Sequence, residues 1–305
     1  MRLHDWPKAQ RALEESIQKS PRDGAAHLLL SEVYAEREMI PQMNATLTRL
    51  RSLFPRYEEE ADYLAQKYWI KNFKQGNSLL EQKRINEAVP FFQRSTQLDS
   101  LNLHSWQRYG DVLFMVRRTS EAERAYRRAL ELAPHNLIIE NNLAEIYFMQ
   151  QQYGKTILLC DDILQHDAQD LDALQRRAYA HDALGHFERA ESDYLKAAAL
   201  QPSARLFADL GLLYFGQKDY VNAISRFEEA LRLSGEQTLL FRHLGEANYR
   251  IRNYKEMARW YRKVVASHPD DLVGWKNLAV AYEALGQKEG LARARHYIGH
   301  ITSTY

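Results

Sequence analysis

His296 and His300 stand four residues apart, the spacing that puts two imidazoles on one face of a helix and, with a third ligand, could hold a zinc ion. His181 and His186 lie on either side of a turn. Neither pair has a third ligand or an acid beside it at ligand spacing, so neither defines a metal site. Asp161 and Asp162 are adjacent, and neighbours on a helix do not face each other, which makes them a poor catalytic dyad. Cys160 is the single cysteine, which excludes an intramolecular disulfide framework, and it reads as a small apolar core filler. The chain has no Gly-rich phosphate loop, no nucleophile elbow and no paired cysteines. These residues predict a protein that is not an enzyme and that takes no metal and no cofactor.

Composition sets the other bounds. The 305 residues carry 41 basic and 40 acidic side chains, a formal charge of +1, so no global field favours nucleic acid or an anionic membrane. Hydrophobic content of 45% and charged content of 27% are those of an ordinary folded protein. No run of apolar residues is long enough to span a bilayer, and MRLHDWPKAQ at the start lacks the apolar core of a signal peptide, so a soluble chain without membrane insertion is expected. One cysteine fits a reducing compartment such as the cytoplasm, while a periplasm stays open, and the localisation is left unknown.

The elements that position these side chains follow one pattern. From Leu103 to Asn136 the sequence reads LHSWQRYGDVLFMVRRTSEAERAYRRALELAPHN. Trp106, Tyr109 and Gly110 mark one helix with a bulky apolar face and one small contact residue. Arg118-Thr119-Ser120 mark a turn, and Ala122, Tyr126 and Ala129 mark a second helix whose alanines allow close approach. Pro134 ends the unit, since it cannot continue the helix.

The spacing of these landmarks resembles the tetratricopeptide repeat, a helix-turn-helix unit of about 34 residues with an A and a B helix. The chain divides accordingly into 1–23, a half repeat, then 24–57, 58–102 with a helical insertion at 58–68, 103–136, 137–170, 171–203, 204–237, 238–271 and 272–305. The small residue of helix A recurs as Gly110, Ala144, Ala178, Gly211, Gly245 and Ala279, and the inner aromatic of helix B as Tyr126, Tyr194, Phe227 and Tyr261. The resemblance implies an all-α fold, a right-handed α-solenoid of about eight and a half repeats forming one continuous superhelix over residues 1–305, its concave wall built mainly by the A helices. Residues 58–68 have strong helix formers and no Gly or Pro, and read as an N-terminal extension of helix A. The half repeat at the start predicts that Met1 is an internal start or a boundary within a longer protein.

In the repeat family, helix A positions 2, 5, 6, 9, 12 and 13 tend to face the groove, and the resemblance carries them over to this sequence. Position 12 is Phe114, Phe148, Phe215 and Tyr249, with Met115 and Met149 beside the first two. Either these side chains form an apolar ledge for a partner, each fully buried anchor contributing about 1.5–3 kcal/mol, or they fold against the neighbouring repeat as core. Side-chain exposure separates the two. Arg108, Asn142, Arg176 and Arg242 are candidate polar donors on the same wall, opposed by Asp111, Glu145 and Glu246. Mixed signs suit a polar peptide or protein surface, whereas a nucleic-acid backbone would require a stripe of one sign. The pattern by which some relatives clamp a C-terminal carboxylate is not met, because Phe73 takes the lysine position and Arg108 that of the second asparagine.

The reading that follows is a non-catalytic scaffold or adaptor that holds a peptide or helix of another protein in its groove. A second is the accessory repeat arm of a larger enzyme or regulator, truncated upstream of Met1. A third adds head-to-tail self-association through the uncovered first helix and the apolar edge of the last.

Overall fold

The computed structural model describes residues 5–304; Met1, read above as a boundary, and Tyr305 lie outside them. Seventeen α-helices and one 3₁₀ turn make up the described residues, with no strand among them. Two compact units divide the chain, Met1–Ile146 and Tyr147–Tyr305.

The first unit contains α1 (Trp6–Lys19), α2 (Gly24–Glu36), α3 (Ile40–Leu53), α4 (Glu58–Glu81), α5 (Ile85–Leu98), α6 (Leu103–Met115) and α7 (Thr119–Leu132), and α8 (Leu137–Met149) begins in it. The second contains α9 (Tyr153–His166), α10 (Leu171–Ala183), α11 (Phe187–Leu200), α12 (Ala204–Gly216), α13 (Tyr220–Ser234), α14 (Thr238–Arg250), α15 (Tyr254–Ser267), α16 (Leu272–Ala284) and α17 (Lys288–Thr304). Even-numbered helices are the A helices and odd-numbered ones the B helices.

Local chemistry starts and stops most A helices in the same way, α4 and α14 lacking the side-chain cap. The residue before the helix supplies the cap: Asp23, Asn102, Asp170, Ser203 and Asp271 each accept from the backbone N–H three residues on, at 2.8–3.2 Å. At the other end a residue turns left-handed. In α6 this is Arg117 at φ 62°, followed by Arg118, whose N–H donates to the Leu113 carbonyl at 2.9 Å. The same pair of events recurs at Lys83 and Arg84, and in the second unit at Lys218 and Asp219 and at Arg252 and Asn253. This closure satisfies the last carbonyls of the helix and reverses the chain within three residues.

Packing follows from the reversal. Within each unit, α3, α5, α7, α11, α13, α15 and α17 lie on their own A helices, and α1, α3, α5, α9, α11, α13 and α15 pack on the A helix that follows. In the second unit one apolar core runs from Leu174 to Ile301, with Tyr194, Leu210, Phe227, Phe241, Leu244 and Val264 all almost fully buried. In the first unit the core is split. One cluster joins α1, α2 and α3 to the first half of α4 through Leu47, Leu50, Leu64 and Tyr68, and the other begins at Leu79 and continues through Phe92, Leu113 and Tyr126. The cause is α4 itself, whose 24 residues make it about 36 Å long, longer than one pair of partner helices can cover. A continuous core was the expectation for stacked repeats, and within this unit it does not hold.

Candidate protein-interaction face

The groove residues expected from the sequence all lie on A helices. In the first unit they converge on Asp111 of α6. The Tyr126 hydroxyl donates to its Oδ1 at 2.8 Å, the Asn142 amide from α8 at 3.4 Å, and the Arg108 guanidinium stands 3.8 Å from its Oδ2. Burial raises the Asp111 carboxyl above the usual range, and the Tyr126 hydrogen bond and the Arg108 charge oppose that. Asn142 and Arg108 are therefore engaged inside the chain, although Arg108 keeps about half its side chain in solvent. Phe114 is half-buried against the core, while Met115 beside it is exposed.

In the second unit three position-12 rings are set by the aromatic residue that opens the following B helix. Phe148 lies edge-on to Tyr153 at 5.9 Å and 6.0 Å from Tyr179; Phe215 lies edge-on to Tyr220 at 5.2 Å; Tyr249 is 6.4 Å from Tyr254, with the Arg250 guanidinium over its ring. Phe148 and Phe215 are half-buried by these contacts, whereas Tyr249 is exposed, as is Met149. The row is thus partly core and partly surface. Arg242 is held by Asp271, the residue that also caps α16, and Arg176 is half-buried on α10.

Ile138 at position 2 of α8, 63% exposed, and four further apolar side chains on α12, α14 and α16 were missed. Leu212 is 45% exposed, Leu239 63%, Val273 56% and Val280 42%, more than any of the position-12 phenylalanines. They occupy groove positions 2 and 9, and the signal that could have found them was an apolar residue at any groove position, with no requirement for a ring.

Away from this face, the second unit buries a charged cluster. Arg177 of α10 donates two hydrogen bonds to Asp193 of α11, at 2.7 and 2.8 Å, and one to Asp161 of α9 at 2.6 Å. Asp193 is almost fully buried, and Asp161, partly in solvent, is tied into the cluster. The Asp193 hydrogen bonds, strengthened by Asp161, hold Arg177 charged well above its usual range. Cys160 is fully buried, and burial pushes its thiol up to about 12, so it is protonated and packs as a small apolar group. His181 and His186 approach to 3.4 Å between their Nδ1 atoms, and burial lowers the His181 pKa.

Paired helices with repeated caps and repeated turns define a helical repeat array. The chain belongs to the tetratricopeptide repeat family, which matches residues 1–39, 110–170, 176–238 and 209–271, more than half of its length. It is 27% identical over 239 residues to Tetratricopeptide repeat protein 13 of Homo sapiens, covering 75% of this chain and 26% of that protein. It is 24% identical over 284 residues to BBSome complex member BBS4 of Bos taurus, covering 92% of this chain and 54% of that protein. The chain thus spans about half, or less, of these relatives. The C-terminal part of a TPR repeat-containing protein from Cytophaga hutchinsonii superposes with a TM-score of 0.66 at 18% identity, over 76% of this chain and 96% of that one, which shows the fold. Proteins of this family are in general protein-interaction scaffolds. Among the described residues no helix is long and apolar enough to cross a membrane.

Proposed function

We propose that this chain is a non-catalytic scaffold that holds a peptide or helical segment of a partner protein along its A helices, in the groove such repeats form. The observation that carries the reading is the set of apolar side chains left in water at positions 2, 9 and 12 of A helices in the second unit, Leu212, Leu239, Tyr249, Val273 and Val280, although B helices of the unit also expose apolar side chains. Each offers surface whose removal from water favours binding. The helices that carry them are already ordered, which limits the entropy lost on association. The membership of the bovine relative in a complex supports the same reading.

A photo-crosslinking amino acid placed at Leu239 or Val273, and as a control at Leu158 or Val221, which are exposed on B helices, tests it. Adducts with a partner are expected at the A-helix positions alone. Equal labelling at the B-helix controls would overturn the groove reading. The length of the relatives favours a second reading, in which these repeats are the accessory arm of a larger enzyme or regulator. The sequence of the native gene on either side of the chain decides it.

A further inference from the structure

At position 12, Phe114, Phe148, Phe215 and Tyr249 carry rings, whereas α10 has Asp182 and α16 has Glu283, which pairs with Arg295 at 3.3 Å. Asp182 sits in the last turn of α10, where the open carbonyl ends already carry partial negative charge and an acid is disfavoured. It is half-buried, and desolvation raises its pKa with no compensating cause. Among the described residues no hydrogen-bond donor and no cation is paired with it. Asp209 on the next A helix differs in this respect, as does Asp111 in the first unit. Asp111 has Tyr126 and Asn142, while Asp209 takes the Tyr179 hydroxyl and has Arg205 within 3.9 Å.

The surroundings of Asp182 are aromatic and negative. Tyr179 lies three residues earlier on α10, on the same helix face, and its ring is 6.0 Å from Phe148. Asp182 is among the groups that push the Asp209 carboxyl up, after burial of Asp209 itself. A carboxylate that is half out of water, unpaired, and placed against a helix C-terminus is destabilising as long as nothing covers it. A cation supplied from outside would remove that penalty and would also gain from the faces of the adjacent rings.

We propose that Asp182 is a specificity determinant of this face, taking the ammonium or guanidinium of a Lys or Arg side chain in a partner segment whose flanking residues are apolar. The argument is one of charge complementarity: an unpaired negative site flanked along the row by Phe148 and Phe215 selects a positive residue flanked by apolar ones. It rests on the groove reading above and adds to it the chemistry of the occupant.

Panning a random dodecapeptide display library on the full chain and on D182N tests both levels. The wild-type chain is expected to enrich peptides with one Lys or Arg between apolar residues. D182N should still enrich apolar peptides, but without the basic residue, and a synthetic peptide from the wild-type selection should bind D182N about tenfold more weakly. The charge-reversed D182K should shift enrichment to Asp or Glu. Apolar peptides enriched on the wild type with no basic preference, or a basic preference that survives D182N, would overturn the role of Asp182 while leaving the groove standing. No enriched peptide on the wild type would overturn both. Circular dichroism of each variant confirms that the helices are intact.

Discussion

Gly211 of α12 lies directly under the ring of Phe227 of α13, sixteen residues further on, so close that a Cβ at Gly211 would fall 2.5 Å from the Cδ1 of that ring. Gly76 stands in the same relation to Phe92, Gly110 to Tyr126 and Gly245 to Tyr261. The missing side chain on helix A is what lets a whole aromatic ring of helix B reach the axis of its partner. Ala would gain about 1 kcal/mol of helix propensity at Gly211, but overpacking a ring that is fully buried costs about 1–3 kcal/mol. We expect Gly211→Ala to lower stability by about 1 kcal/mol and Gly211→Val by at least about 3 kcal/mol, read as a fall in urea midpoint at unchanged slope.

Arg177 and Asp193 are also sixteen residues apart, one position before the buried Ala178–Tyr194 pair, and add a bidentate contact beside that apolar packing. Removing the arginine alone leaves a buried carboxylate without its partner, whereas removing both leaves ordinary apolar space. Arg177→Leu should destabilise the chain by about 3–5 kcal/mol, and Arg177→Leu combined with Asp193→Ala should recover most of the loss. A double-mutant cycle by chemical denaturation measures the coupling; single losses that simply add would show that the pair is not linked.

Phe215 and Leu239 separate the two meanings of the apolar row. Phe215 is half-buried, edge-on to Tyr220, and its truncation should lower stability by about 1–2 kcal/mol, so reduced binding by that variant would be ambiguous. Leu239 is mostly in solvent, and Leu239→Ala should change stability by less than about 0.5 kcal/mol. Thermal unfolding of the two variants side by side checks the contrast. Equal losses would place Leu239 in the core.

The helices were legible because their spacing is enforced by packing: a small residue such as Gly110 and a ring such as Tyr126 must recur together or the pair cannot close. The extension at Glu58 was legible too, from propensity alone, and α4 begins there. The turns were less so. Arg117, Gln151, Lys218 and Arg252 take the left-handed conformation that usually points to glycine, and only the hydrogen bonds around them show why it is tolerated. The core break at α4 was hidden, because a longer helix keeps its periodicity while outrunning its partners. Arg177 and Asp193 could have been found: in the repeat register, Arg177 stands where Leu143, Leu210 and Leu244 stand in other units, and a charge in such a slot requires a buried partner. Asp182 carried the same kind of signal at position 12, an acid between units that carry rings.

That acid gives a pH dependence whose sign is fixed by its surroundings. Burial raises the Asp182 carboxyl in the folded chain above its value in the unfolded one. Above the folded value both states are ionised, and the charge opposes folding. As pH falls through the folded value the native state binds the proton first, so this residue's contribution becomes more favourable, and it levels off once the unfolded chain is protonated as well. Replacing the carboxylate by an amide removes the charge at every pH. D182N should therefore unfold at a higher temperature than the wild type at pH 7, by about 1–3 °C because solvent screens a half-exposed group, and the two curves should converge near pH 3. Differential scanning calorimetry across that range reads the difference directly. A D182N chain that is less stable than the wild type at pH 7 would mean that the carboxylate has an internal partner and is not held open for a cation from outside.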